Sequence, residues 1–120
     1  MKKITIIILF AFSLIFISCE DNILKSSNFT VKTEKVEYAQ GEQITFEFEN
    51  APDWVTFYSG EETHIYPESS GTGIKGMANK LLNYTYTYKQ KGDYEVVFVG
   101  GNTNYKGNNQ SVVKLHIKIN

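Results

Sequence analysis

The chain contains no arginine, one cysteine, one tryptophan, two prolines and two histidines in 120 residues. The missing arginine removes the planar fork that grips phosphate bidentately, and the 12 lysines are scattered among 13 acids, so no nucleic-acid partner is expected. A single cysteine rules out an internal disulfide and any thiolate cluster for a metal. His64 and His116 lie far apart in sequence with no second histidine or cysteine nearby. His64 follows Glu61-Glu62 and reads as a solvated turn residue, whereas His116 falls between Lys114 and Lys118 on the polar side of a strand. Serine-nucleophile signatures are lacking. The glycines of Gly71-Thr72-Gly73-Ile74-Lys75-Gly76 follow no clear strand and open no helix, so they do not form a phosphate-cradling loop. Glu47 and Glu49 share the solvated face of one strand, and Asp53, Glu61, Glu62 and Glu68 lack the spacing of a calcium loop. The expectation is a non-enzymatic protein with no metal and no cofactor.

What the chain does have begins at its N-terminus. Met1-Lys2-Lys3 precedes an apolar run from Ile4 to Ile17, and Ser18-Cys19 closes it ahead of Glu20-Asp21-Asn22. Fourteen residues, apolar except for Thr5 and Ser13, fall short of the roughly 20 that cross a bilayer. Two leading lysines and a small residue before the cut site fit a secretory signal. Phe16-Ile17-Ser18-Cys19 resembles a lipobox, and the whole segment resembles a bacterial lipoprotein signal peptide. The resemblance implies that residues 1–18 are removed, that Cys19 carries lipid such as palmitate, and that the membrane partner is reached through that anchor. Each buried methylene of an acyl chain contributes about 0.8 kcal/mol, so two or three chains hold a small domain stably. Glu20 and Asp21 resemble the acidic export tag of surface-displayed lipoproteins, which implies the outer membrane and its outer face, with the periplasmic face as the alternative.

Residues 19–27 read as the lipidated cysteine and a tether, and residues 28–120 as one folded domain. Without its two leading lysines the mature chain holds ten lysines against 13 acids. Eight phenylalanines and eight tyrosines, with no helix-period segment after the signal, point to sheet. Phe29, Val31 and Thr33 alternate with polar residues, Val36 to Tyr38 extend again, and Ile44, Phe46 and Phe48 face away from Thr45, Glu47 and Glu49. Asp53 to Tyr58 is large on both faces, which marks a strand covered on both sides or one presenting an aromatic face to a partner. Thr63 to Tyr66 reads as another extended piece and residues 67–80 as a long loop. Leu82, Tyr84, Tyr86 and Tyr88 share one face of a strand. Tyr94, Val96 and Phe98 share one face of the next. Gly100 to Asn109 reads as a second loop, and Val113, Leu115, Ile117 and Ile119 line the last strand. About seven short strands predict an all-β, Ig-like antiparallel β-sandwich.

Lys91-Gly92-Asp93-Tyr94-Glu95-Val96 is similar to the late strands of the polycystic-kidney-disease-type (PKD) repeat, an Ig-like fold. That resemblance implies a tyrosine corner at Tyr94. Tyr38 to Glu42, Ile44 to Phe46 and Trp54 to Glu61 resemble an Ig-like domain of unknown function found in starch-utilisation-type surface lipoproteins. Tyr84, Tyr86 and Tyr88 are expected to line the sandwich. Tyr66 and Tyr105, in or beside loops, and Tyr58 are the candidate ligand-binding residues. The expected function is a lipid-anchored envelope module that binds a polysaccharide or a partner protein. The alternative is a structural accessory subunit of an outer-membrane complex.

Overall fold

A computed structural model of the chain describes residues 26–76, 80–105 and 107–120. The signal-like segment and Cys19 lie outside the described residues. Eight strands follow: β1 Thr30–Lys32, β2 Glu37–Tyr38, β3 Gln43–Glu49, β4 Trp54–Tyr58, β5 Thr72–Lys75, β6 Asn83–Thr87, β7 Gly92–Asn104 and β8 Gly107–Ile119. They form a three-stranded sheet, β1-β3-β6, and a five-stranded sheet, β2-β8-β7-β4-β5. The protein is thus an all-β sandwich, with the strand distribution of an Ig-like fold. All neighbours are antiparallel except β2 and β8, which run parallel through Lys118 N–H to the Val36 carbonyl and Asn120 N–H to the Tyr38 carbonyl, both 2.9 Å.

The core follows from period-two alternation. In β3, Ile44, Phe46 and Phe48 are buried while Gln43, Thr45, Glu47 and Glu49 are exposed. Phe98 of β7 is the hub between the sheets: its ring meets Phe46 at 5.1 Å, Phe48 at 4.9 Å and Phe57 at 5.3 Å. The first two contacts are edge-on, the arrangement favoured by ring quadrupoles. Ile117, Ile119, Val55 and Val96 fill the space around them. Tyr94 forms the expected corner. Its hydroxyl donates to the Gln90 carbonyl at 2.8 Å and its ring lies 4.3 Å from that of Tyr88.

Three sequence readings change. The expected loop from Gly100 to Asn109 is instead the upper part of a long β7–β8 hairpin, paired from Gly92↔Ile119 to Asn104↔Gly107. The glycines are there for space rather than for looseness. A Cβ on Gly100 would sit 2.7 Å from Pro52 Cγ and 2.9 Å from Phe29 Cε1, and one on Gly101 would sit 2.5 Å from Trp54 Cζ2. The long loop after residue 67 contains β5, which pairs with β4 across an irregularity at Val55/Thr56. Thr63 to Tyr66 is not a strand, because its backbone bonds locally: Gly60 N–H donates to the His64 carbonyl at 2.9 Å and His64 N–H to the Glu61 carbonyl at 2.8 Å. Ser27 is buried, with its Oγ 2.9 Å from Ser111 Oγ, and Asn102 Nδ2 donates to the Ser26 carbonyl at 3.0 Å.

Candidate binding face

Strand β4 turns Val55 and Phe57 into the core, each 1% exposed, and so must turn Trp54, Thr56 and Tyr58 the other way. Those three are half-buried on the side of the five-stranded sheet that faces away from β1-β3-β6. Trp54 and Tyr58, four residues apart on one strand, stand about 13 Å from each other. The register places Val97 beside Tyr58, Val99 beside Thr56 and Gly101 beside Trp54, with Lys114, Val112 and Gln110 next in each row on β8. The indole lies over Gly101, which is why no side chain fits there.

The segment after β4 supplies the edge of this face. Ser59 N–H donates to His64 Nδ1 at 2.8 Å, and the ring's other nitrogen, Nε2, is 3.1 Å from Thr72 Oγ1. With Nδ1 accepting, the neutral ring carries its proton on Nε2 and donates it to the threonine. His64 also packs against Phe57 at 5.6 Å and Tyr58 at 5.9 Å. It is therefore a half-buried pin between β4, its following turn and β5, not a solvated turn residue. The Tyr86 hydroxyl donates to the Glu61 carboxylate, and the Tyr88 hydroxyl donates to the Ser59 carbonyl at 2.5 Å. Burial first, and the Glu61 bond second, push the Tyr86 phenol up to about 12. Burial likewise pushes Tyr88 well above the ordinary phenol range. Tyr86 of β6 and Tyr88 just beyond it thus serve as internal braces that hold the turn, as expected of core-lining residues.

Two of the three candidate tyrosines come together. Tyr66 meets Tyr58 edge-on at 5.1 Å, and Gly71 lets the chain cross closely above them, since a Cβ there would be 2.7 Å from Tyr58 Cζ. Tyr105 does not join them. It is 85% exposed in the turn of the β7–β8 hairpin, four residues beyond Gly101 and so about 13 Å past the level of Trp54. Trp54 was legible only as part of a strand large on both faces. Its signal is the alternation itself, which puts the indole opposite Val55.

Elsewhere the face is charged. Glu95 lies 3.9 Å from Lys114 and Asp93 lies 3.5 Å from His116, all strongly exposed. Asp53 and Glu61 fall at opposite ends of β4, and among the described residues no three His, Cys, Asp or Glu side chains gather as a metal site. A shallow cavity of about 230 Å³ opens beside Phe48, Asn50, Ala51, Lys75 and Leu81. Lys75 Nζ is already occupied there, donating to the Asp53 and Gly76 carbonyls at 3.0 and 3.2 Å. Among the described residues no helix is long and apolar enough to cross a membrane.

Against known families, the profile described as a domain of unknown function (DUF5017) matches residues 18–116. The chain belongs to this family. The DUF5017 match runs from Ser18 to His116 and so takes in Cys19, seven whole strands and most of β8. No curated protein and no solved structure matches the chain. Function in this DUF5017 domain has to be argued from its surface chemistry.

Proposed function

We propose that this chain is a lipid-anchored, non-enzymatic module of the bacterial outer membrane, held by Cys19 and displayed at the cell surface, that binds a polysaccharide. The observation that carries the reading is the row Trp54, Thr56 and Tyr58, extended by Tyr66, half-buried on a sheet face that no second sheet covers among the described residues. Sugar rings have an apolar face and a rim of hydroxyls. Aromatic rings on a flat strand match the first, and exposed amides and hydroxyls match the second. Thr103, Asn108 and Gln110 supply those groups, because the register puts them on the same face toward the hairpin tip, all exposed. The PKD-like late strands and the starch-utilisation-type resemblance support the same setting.

Titration of envelope and dietary polysaccharides onto the full chain in detergent tests the reading. Binding is expected to weaken about tenfold in Trp54→Ala, the equivalent of 1.4 kcal/mol. Absence of binding to every polysaccharide removes the proposal. A second reading, a structural subunit of an outer-membrane complex, draws on Tyr105, whose 85% exposure at a projecting tip suits insertion into a protein partner. Cross-linking from position 105 in intact cells distinguishes the two, since one stoichiometric partner would favour the subunit.

A further inference from the structure

A sheet edge that is long, uncharged and regular is a template for another strand, and proteins usually blunt such edges with charge, proline, bulges or brevity. Among the described residues the two sheets have four edge strands, and three are blunted, while the stretch of β8 that β2 leaves uncovered carries Lys114 and His116. β1 has three residues and ends in Lys32, β2 has two, and β5 contains Gly73 and pairs irregularly. The fourth is β6, Asn83-Tyr84-Thr85-Tyr86-Thr87, which has no charge, no glycine and no proline. It pairs with β3 on one side only.

The backbone polarity of that edge is fixed. Phe48 N–H donates to the Leu82 carbonyl at 2.9 Å and Gly41 N–H to the Tyr88 carbonyl at 3.0 Å. Even-numbered residues therefore direct their amide groups toward β3, as the antiparallel ladder with Tyr84 and Tyr86 requires, and Asn83, Thr85 and Thr87 direct theirs outward. The sequence is close to a palindrome about Thr85. An antiparallel copy centred there sets Thr85 against Thr85, Asn83 against Thr87 and Tyr84 against Tyr86. Every outward amide then meets another outward amide.

Charge agrees with this register. Lys80 falls opposite Gln90 and Lys89 opposite Leu81, so no lysine faces a lysine. Threonine pairs and aromatic pairs are among the favourable cross-strand neighbours. Leu82, 70% exposed, and the half-buried Tyr84 and Tyr86 gain cover from the second copy. We infer that the β6 edge is a self-complementary interface through which two copies pair about Thr85, joining their three-stranded sheets into one of six. The two-fold axis is the closed symmetry expected of a dimer. The polysaccharide face lies on the other sheet, so the interface stands or falls independently of the proposed function.

Cysteine cross-linking of the full chain in bacterial envelopes tests it. Opposed residues of a hydrogen-bonded pair lie about 5.5 Å apart between Cα atoms, within disulfide range. Thr85→Cys should give a covalent dimer on mild oxidation at a yield at least tenfold above Asn83→Cys, Thr87→Cys and the parent chain with Cys19 alone. As a second arm, Thr85→Lys places two ammonium groups face to face at an exposed site. It should raise the dimer dissociation constant of the purified full chain at least tenfold in sedimentation velocity, with an unchanged far-ultraviolet circular dichroism spectrum showing that the fold is kept. Equal yields at positions 83, 85 and 87, no dimer at any of them, or a dimer indifferent to Thr85→Lys would each overturn the interface.

Discussion

The two faces of β4 differ in almost everything except sequence position. Val55 and Phe57 point inward, where Phe57 touches Phe46, Phe98, Tyr84 and Tyr86 within 4.9 to 6.1 Å. Trp54, Thr56 and Tyr58 point outward and are enclosed only partly, by Gly101, Gly71 and Tyr66. One strand carries both a closed aromatic cluster and an open aromatic row. The difference separates residues that hold the domain together from residues available to a ligand, and substitutions on the two faces should therefore fail in different assays.

The largest effect is expected inside. Phe57→Ala removes the ring that four aromatic neighbours share and should cost about 3–5 kcal/mol in urea unfolding. A loss below about 1 kcal/mol would mean that the inner face is loosely packed. Gly101→Ala attacks the boundary between the faces. Its new methyl group collides with the Trp54 indole and the Asn109 carbonyl, and the overpacking should cost about 1–3 kcal/mol while quenching or shifting tryptophan fluorescence.

Much of this comparison is readable from the amino-acid sequence alone. Ile44, Phe46 and Phe48, like Val113 to Ile119, announce their buried sides because water-facing Glu and Lys alternate with them. The tyrosine corner at Tyr94 was legible because the Gly-x-Tyr-x-Val stretch is a local signature. What was not legible depended on contacts distant in sequence. Gly100 and Gly101 look like loop residues until Phe29, Pro52 and Trp54 are known to lie on them. Thr72 to Lys75 becomes a strand only because β4 offers an edge. His64 looked solvated because its partners Ser59 and Thr72 are ordinary polar residues that carry no motif. The open row on β4 was half legible: alternation identified large residues on both faces, but not that one face would remain open.

Smaller effects sharpen the account of the turn beneath the row. Tyr88→Phe leaves the Ser59 carbonyl without its donor and should cost about 1–3 kcal/mol, since an unsatisfied buried acceptor keeps its desolvation penalty. The same braces predict alkaline sensitivity. Tyr86 and Tyr88 hold their protons more tightly folded than unfolded, so their contribution is intact below an unfolded phenol value of about 10 and declines as pH rises through the folded values. Stability measured by chemical denaturation should fall from about pH 10 toward 12 in the natural chain. Tyr86→Phe and Tyr88→Phe should each flatten that fall. The smallest effect belongs to the exposed Glu95 and Lys114 pair at 3.9 Å. Glu95→Gln should move stability by no more than about 0.5 kcal/mol.

The measurement that bears most directly on the division between the two faces of β4 is a paired determination of polysaccharide affinity and melting temperature for Trp54→Ala/Tyr58→Ala beside Phe57→Leu. The outer double variant is predicted to abolish detectable binding while melting higher than the inner variant. The inner variant is predicted to melt lower yet bind with unchanged affinity in the cold. An outer double variant that binds normally, or one that melts below Phe57→Leu, would contradict the assignment of the outer row to a ligand.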